Sequence, residues 1–249
     1  MASFNTSRRT GSSSSAYVYG IVNYTTSTSD TAVTISVTNM QLYHSTGWKD
    51  SFTYSYWTTG TLQSGDSHIS NSASVSNKQY SGKGTTQVVG GQSKTFKRAH
   101  SAYTIVLHGR MYTHSTNYDG SVSITIPAKA SYTVSYNANG GTGTISNQTK
   151  WYGENLTLSN GAGFTRTNYT LKGWNTKADG TGTHYNLGAT YTGNAALPLY
   201  AEWELNTVKG YTKVNGSIKQ GIYYAKVNDN IIVPYIGYVK VNGVWKQIT

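Results

Sequence analysis

The sequence predicts an all-β protein, and three observations support that class. Residues that favour strands and turns dominate the 249 residues, with 22 tyrosines and 27 glycines, whereas helix formers such as leucine and glutamate are scarce. Apolar and polar residues alternate with a period of two in several segments, as in a strand with one buried face. Asn-Gly and Asn-Asp pairs separate similar runs near the end of the chain and favour tight hairpin turns. The chain divides into four segments on these grounds.

The first segment, residues 1–15, is polar and rich in serine and arginine. Such a segment buries too little apolar surface to order itself, so we expect a leader without structure of its own. Arg8 and Arg9 would meet acidic groups on a partner surface through charge-assisted hydrogen bonds. Both arginines are therefore candidates for the contacts that attach the protein to a larger assembly.

The second segment, residues 16–130, contains most of the alternating runs, and clusters of glycine, serine, asparagine and aspartate indicate turns between them. The positions expected in its core are Val33, Ile35, Val37, Phe52, Tyr54, Tyr56, Tyr103, Ile105, Leu107, Val122, Ile124 and Ile126. Several short strands with this spacing favour an immunoglobulin-like β-sandwich. The chain has no cysteine, so the sandwich lacks the disulfide of antibody domains.

The third segment, residues 131–204, follows a short hinge after Pro127 and carries a dense set of motifs. These are Tyr132-Thr133-Val134, Asn139-Gly140-Gly141, Tyr152-Gly153-Glu154, Arg166-Thr167-Asn168-Tyr169, Gly173-Trp174-Asn175, Ala178-Asp179-Gly180, Thr190-Tyr191 and Leu199-Tyr200-Ala201-Glu202-Trp203. In this order they resemble a Listeria–Bacteroides repeat, the internalin B-type repeat, over its full length. The resemblance implies a small β-grasp-like module that serves as a spacer or adhesive unit in bacterial surface proteins and in phage structural proteins.

Elementary chemistry gives the motif residues of this segment structural roles. Asn139-Gly140-Gly141 supplies the positive φ that a tight turn after a strand requires. One face of the last strand would carry Leu197, Leu199, Ala201, Trp203 and Leu205. Glu202 and Glu204 would point the other way and face solvent.

The fourth segment, residues 205–249, repeats one short unit three times, as YTKVNG, YAKVND and YVKVNG. An Asn-Gly loop at 242–243 would pair Val241 with Val244 and Lys240 with Trp245. Tyr238, Lys240 and Trp245 would then share one face of the last hairpin, with the lysine stem across the indole. These three residues are candidates for contact with a partner subunit or a glycan. Trp245 folded back as core is the alternative.

The net charge of +11 raises the question of an anionic partner. Lysine and arginine are scattered singly along the predicted strands and form no recognition motif, so we do not expect nucleic acid. Anionic cell-wall polymers or an acidic neighbouring subunit would explain the charge. The first residues lack the apolar region of a signal peptide, and no stretch is long enough for a membrane helix. We therefore expect synthesis in a cytoplasm without export.

No arrangement of residues predicts catalysis. Glu202 and Glu204 form the one close acid pair, but a glycosidase pair should flank a cleft. The stretch SGKGT at 81–85 lacks the first glycine and the magnesium-binding Ser/Thr of a phosphate loop. Three histidines are spaced for strands rather than for a metal pair on a helix, namely His100, His108 and His114. We expect no enzyme activity, no metal and no cofactor.

The order of the four segments resembles the minor structural proteins of tailed phages of Gram-positive bacteria. The resemblance implies a virion component on the tail or as an external appendage, present in several copies or as a homo-oligomer among other virion proteins. Adhesion to host cell-wall glycan would fit such a place. Two alternatives remain open: a bacterial surface adhesin module, and an accessory part of a carbohydrate-active enzyme.

Overall fold

The computed structural model describes residues 1–11 and 16–206, and beyond these only the backbone of six short strands between residues 209 and 247. Every helix or strand in this described part is a β-strand, which confirms the all-β prediction. The chain divides into two compact units, Met1–Ala130 and Ser131–Thr249. Within the described residues no helix has the length and hydropathy needed to cross a membrane.

The first unit contains ten strands in two antiparallel sheets. The strands are β1 Ala2–Asn5, β2 Arg9–Thr10, β3 Tyr17–Thr28, β4 Ala32–His44, β5 Trp48–Thr59, β6 Ser70–Tyr80, β7 Gly84–Val89, β8 Gln92–Lys97, β9 Tyr103–Thr113 and β10 Thr116–Ile126. The first sheet has the order β1-β3-β4-β7, with β2 also on β3 and β8 also on β4. The second sheet has the order β10-β9-β5-β6. One hydrophobic core takes side chains from both sheets.

The alternation seen in the sequence determines this core. Ten of the twelve positions expected there are buried, and the other two, Tyr103 and Val122, are half-buried and pack against it. A β-bulge between β3 and β4 shifts the register at Asn23 and Tyr24. Because a bulge moves the following side chains to the other face, the buried positions of β4 change from odd numbers before it to Met40 and Leu42 after it.

The N-terminal segment differs from the unstructured leader expected from its composition. β1 pairs with β3 from Ala2 opposite Tyr24 to Asn5 opposite Ile21, and β2 pairs with the start of β3. Phe4 packs against the core. The open edge of β3 offers backbone donors and acceptors that a polar segment can use without a large apolar surface. Residues 2–5 and 9–10 therefore belong to the first sheet, whereas residues 12–15 lie outside the described part.

The second unit begins with nine strands between residues 131 and 205. They are β11 Ser131–Asn137, β12 Thr142–Gly143, β13 Gln148–Trp151, β14 Leu156–Thr157, β15 Phe164–Thr165, β16 Tyr169–Asn175, β17 His184–Asn186, β18 Thr190–Tyr191 and β19 Leu197–Leu205. Five of them form one sheet in the order β13-β11-β19-β16-β17, and two small two-stranded sheets flank it. The first and last strands, β11 and β19, pair in parallel at the centre.

The core of this part forms around Trp174, which is fully buried. Tyr136 and Phe164 pack against its ring, with centroids 4.8 and 6.0 Å away, and its indole N–H donates to the carbonyl of Ser159 at 2.9 Å. The predicted turn is also present, because Asn139 has a φ of 45° and Gly140 a φ of 85°. The motif residues therefore serve the fold.

The remaining strands form three two-stranded hairpins. They are β20 Lys209–Val214 with β21 Ser217–Ile222, β22 Tyr224–Val227 with β23 Ile231–Pro234, and β24 Tyr238–Val241 with β25 Val244–Gln247. In the last hairpin Val241 is opposite Val244 and Lys240 opposite Trp245. This register is the one that the Asn-Gly pair predicts.

Candidate functional site

The two arginines predicted to attach the protein have different surroundings. Arg9, on β2, forms an ion pair with Asp50, whose side chain is only 10% exposed, and its guanidinium lies 5.3 Å from the ring of Trp48. His114 approaches the same carboxylate at 3.7 Å. Arg9 therefore links the N-terminal segment to β5 within its own unit.

Arg8 is exposed, and its guanidinium lies over two tyrosine rings, at 4.5 Å from the centroid of Tyr17 and 5.9 Å from that of Tyr19. The contact leaves the guanidinium accessible to solvent. Of the two predicted contact residues, Arg8 is the one whose charge remains available to a partner.

Arg8 lies beside an aromatic cluster on the outer face of the first sheet. Tyr19 on β3 is opposite Tyr43 on β4, and their nearly parallel rings have centroids 4.8 Å apart. The ring of Tyr17 is 5.8 Å from that of Tyr43 and 6.2 Å from that of Tyr19. All three side chains are half-buried because they cover one another.

Three amides continue this surface along the same strands. The side-chain nitrogen of Asn23 donates to Asn39 Oδ1 at 2.8 Å and to Gln41 Oε1 at 3.0 Å. Asn39 in turn reaches Gln87 Oε1 on β7 at 3.5 Å. We call the surface formed by the following residues the tyrosine–amide face: Tyr17, Tyr19, Asn23, Asn39, Gln41 and Tyr43.

The outer face of the second sheet carries a different, charged cluster. The ring of Trp57 stacks on His108 at 5.0 Å, and the guanidinium of Arg110 lies 5.1 Å from the same indole. Arg110 also forms two hydrogen bonds with Asp119, at 2.6 and 2.9 Å. Tyr112, 42% exposed, lies on this face beyond Arg110.

The candidates at the C terminus are known only through their backbone. Lys240 is opposite Trp245, and Tyr238 is opposite Gln247. This backbone register is the one that the Asn-Gly loop predicts. The side-chain positions of Tyr238, Lys240 and Trp245 lie outside the described residues, so their contact role stays a prediction.

The acid pair of the last repeat strand is only partly as expected. Glu204 is exposed and forms a surface ion pair with Lys172 at 2.8 Å. Glu202, by contrast, does not simply face solvent: it accepts a hydrogen bond from Asn175 Nδ2 at 2.7 Å and contacts His184 Nδ1. Glu202 lies on the predicted face of β19, but His184 from β17 covers its carboxylate.

His184 on β17 is held between two acceptors, Asn186 on its own strand and Glu202 on β19. Its Nε2 lies 3.1 Å from Asn186 Oδ1, and its Nδ1 contacts a carboxylate oxygen of Glu202. These hydrogen bonds raise the pKa of His184 above its ordinary value of 6.5, and the bond with Asn186 has the largest effect. The arrangement stabilises an imidazolium and needs no substrate. Within the described part of the chain, no three histidine, aspartate or glutamate side chains come together to hold a metal.

Comparison with known proteins identifies the third segment. Residues 132–202 match the family profile of the Listeria–Bacteroides repeat domain, so this part of the second unit is such a repeat. A 49-residue stretch, 19% of the chain, is 43% identical to part of a protein of Evansella cellulosilytica whose name describes a Gly-rich membrane protein. The match covers 6% of that protein's length. No solved structure matches the chain significantly.

Proposed function

We propose that this protein is a non-enzymatic structural component of a tailed-phage virion, on the tail or as an external appendage, that contributes to adhesion to the host cell wall. The observation that carries the proposal is the Listeria–Bacteroides repeat at 132–202, a module of the surface or adhesion type. Its polar motif residues bond within the module: Asn139 Nδ2, for example, donates to the carbonyls of Ala178 and Ala201.

The order of the modules supports the proposal that the protein is a virion component. A β-sandwich, a repeat of the adhesion type and a lysine-rich set of hairpins follow one another, as the resemblance to minor phage proteins implies. A net charge of +11 suits docking among acidic subunits or near anionic wall polymers. Other virion proteins and further copies of this chain are the partners that we propose.

A bacterial surface adhesin is the second candidate, and the local similarity to a Gly-rich membrane protein favours it. Antibodies against the purified chain separate the two. If the protein belongs to the virion, immunogold labelling marks purified phage particles at one place. Particles banded on a density gradient then also contain peptides of the chain. Label confined to the surface of uninfected cells would reject the virion proposal and support the adhesin.

The last hairpin offers a test of the adhesive part. If Trp245 meets a partner, Trp245→Ala reduces adsorption to cell walls or incorporation into particles while the melting temperature stays unchanged. A fall in melting temperature of several degrees, as for an aromatic core residue whose removal costs about 3–5 kcal/mol, would instead assign the indole to the core. Lys246→Ala, at the next position along the chain, is the matched control.

A further inference from the structure

The tyrosine–amide face has the composition of a ligand-binding surface, and its residues do not belong to the hydrophobic core. We propose that it binds an uncharged glycan. The proposal rests on the adhesive part of the proposed function and adds a site in the first unit, separate from the C-terminal hairpins. Three properties of the face carry it: ordered aromatic rings, available amide groups, and strands without charge.

The rings are ordered before any ligand arrives. Tyr19 and Tyr43 stack at 4.8 Å with 21° between their planes, and Tyr17 lies within 6.2 Å of both. Side chains held in this way lose little further rotamer freedom on binding, so they contribute contact area at low entropic cost. A tyrosine also combines an apolar ring with a hydroxyl, which matches a sugar that has C–H faces and a hydroxyl rim.

The amides supply directional hydrogen bonds beside the rings. Asn23 donates its two amide hydrogens to Asn39 and Gln41, and these hydrogen bonds fix all three side chains. The Gln41 nitrogen donates no bond among the described residues, and the Asn23 oxygen accepts none there. An amide has two donor hydrogens and two acceptor lone pairs, so these groups can meet sugar hydroxyls of either polarity.

The strands that form the face contain no charged residue. Neither Tyr17–Thr28, nor Ala32–His44, nor Gly84–Val89 contains an aspartate, glutamate, lysine or arginine, in a chain with a net charge of +11. Solvated protein surfaces normally carry many charges of both signs. One charge lies over the face, because the exposed Arg8 guanidinium is 4.5 Å from the ring of Tyr17 and 5.9 Å from that of Tyr19, where it can donate to a sugar hydroxyl. With no other charge on its strands, this hydrogen-bonding face suits an uncharged, hydroxyl-rich ligand.

A glycan fits this face better than a protein does. The fully buried core of a protein interface is more apolar than the rest of the surface and is enriched in phenylalanine, tryptophan and methionine as well as tyrosine. Within the described residues the exposed large hydrophobics are Met1 and Tyr112, and neither belongs to the tyrosine–amide face. The face consists of tyrosine, asparagine and glutamine with Ile21 between them, and its phenol hydroxyls and amides can hydrogen-bond to sugar hydroxyls.

The test is affinity electrophoresis of the whole chain toward the cathode, in gels that contain one polysaccharide each. The probes are a β-glucan, a galactomannan, dextran and the neutral polysaccharide released from Gram-positive cell walls, with polygalacturonate as the anionic comparison. We expect at least one neutral polysaccharide to slow the chain, and added salt to leave that effect unchanged. The Tyr19→Ala/Tyr43→Ala variant should bind that polysaccharide at least about tenfold more weakly.

Tyr112→Ala is the matched control, because it removes a tyrosine from the outer face of the other sheet and should leave binding unchanged. Gln41→Glu keeps an acceptor for Asn23 but replaces the amide donor by a charge, so it should also weaken binding. This second variant keeps the test informative if the double variant does not fold. Lack of retardation by every neutral probe would overturn the proposal, as would equal binding by Tyr112→Ala and the double variant, or retardation by polygalacturonate alone.

The result is independent of where the protein resides. Glycan binding by the purified chain can persist even if antibodies find it on cells rather than on phage particles, in which case only the virion proposal fails. Conversely, if antibodies label phage particles but no neutral polysaccharide retards the purified chain, only the glycan proposal fails. Trp245→Ala, run in the same gels, should retain the retardation that the Tyr19→Ala/Tyr43→Ala variant loses.

Discussion

The α-carbon of Gly120 on β10 lies against the carbonyl oxygen of Asn5, so closely that an added Cβ would clash with it. The amide of Ser7 donates to the carbonyl of Asp119 at 2.9 Å beside this contact. The N-terminal segment therefore contacts strands of both sheets, because β1 pairs with β3 and packs against β10.

Gly120→Ala tests this contact. A methyl group there has to displace the backbone of β1, so we expect a loss of about 1–3 kcal/mol in the free energy of unfolding, as for overpacking in a core. Chemical denaturation measures it. Gly90→Ala, where nothing lies within 4 Å of the added Cβ, should change stability by less than about 0.5 kcal/mol. Equal effects of the two substitutions would contradict the proposed packing.

Arg9 and Arg8 should differ in what their removal does. Arg9→Ala removes the guanidinium that pairs with the mostly buried Asp50, so we expect the free energy of unfolding to fall by about 1–3 kcal/mol. Arg8→Ala removes only an exposed cation–π contact and should cost about 0.5 kcal/mol. Differential scanning calorimetry of both variants checks the contrast. If Arg8 attaches the protein to an assembly, Arg8→Ala reduces incorporation while the fold is retained.

Lys150 is almost fully buried within the repeat, at 1% exposure, and its ammonium donates to the carbonyl of Trp151 at 2.8 Å and to Asn194 Oδ1 at 3.2 Å. Lys150→Met fills a similar space but removes the ammonium donor from both acceptors, of which Asn194 Oδ1 keeps the backbone N–H of Gly153 at 2.9 Å. We expect a loss of about 2–4 kcal/mol in denaturant unfolding. Lys172→Met, which removes a lysine from an exposed ion pair, is the control and should change stability by less than about 1 kcal/mol. Comparable losses would show that the Lys150 contacts contribute little.

The pair His184 and Glu202 should make the stability of the repeat depend on pH. Hydrogen bonds raise the pKa of His184 in the folded state, so the folded protein binds the proton more tightly than the unfolded chain. The stabilisation is complete below the ordinary value of 6.5 and is lost as the pH rises through the raised pKa. We therefore expect the stability difference between the native protein and His184→Gln to be largest below pH 6.5 and to shrink as the pH rises above it. Urea denaturation across this range measures it, and a constant difference would contradict the assignment.

Strand periodicity predicted the core of the sandwich because burial on one face directly selects apolar residues. Val33, Ile35 and Val37 illustrate this, and all three are buried. The register of the last hairpin was equally predictable, since a two-residue loop fixes which residues are opposite one another. These are local relationships, and the sequence contains them in full.

Relationships between distant strands could not be derived in this way. Arg9 and Asp50 are on strands that share no sheet, so nothing in the local pattern pairs them. The N-terminal strand is ordered by a free edge of β3 that composition does not reveal. Tyr19 and Tyr43 are opposite each other only because a bulge shifts the register between β3 and β4. The lack of charged residues in both strands, by contrast, can be seen in the sequence and could have indicated this face. The four-segment division itself stays a prediction.

The parallel pairing of β11 with β19 has a mechanical consequence for the repeat. Because its first and last strands run in the same direction at the centre of one sheet, the chain enters at one end of the module and leaves at the other. Tension along the chain would load the hydrogen bonds between Val134–Asn137 and Leu197–Tyr200 in shear, all at the same time, instead of peeling them apart one by one. A module connected in this way resists pulling and transmits force in line, which suits a tether between a particle or cell and the surface it holds.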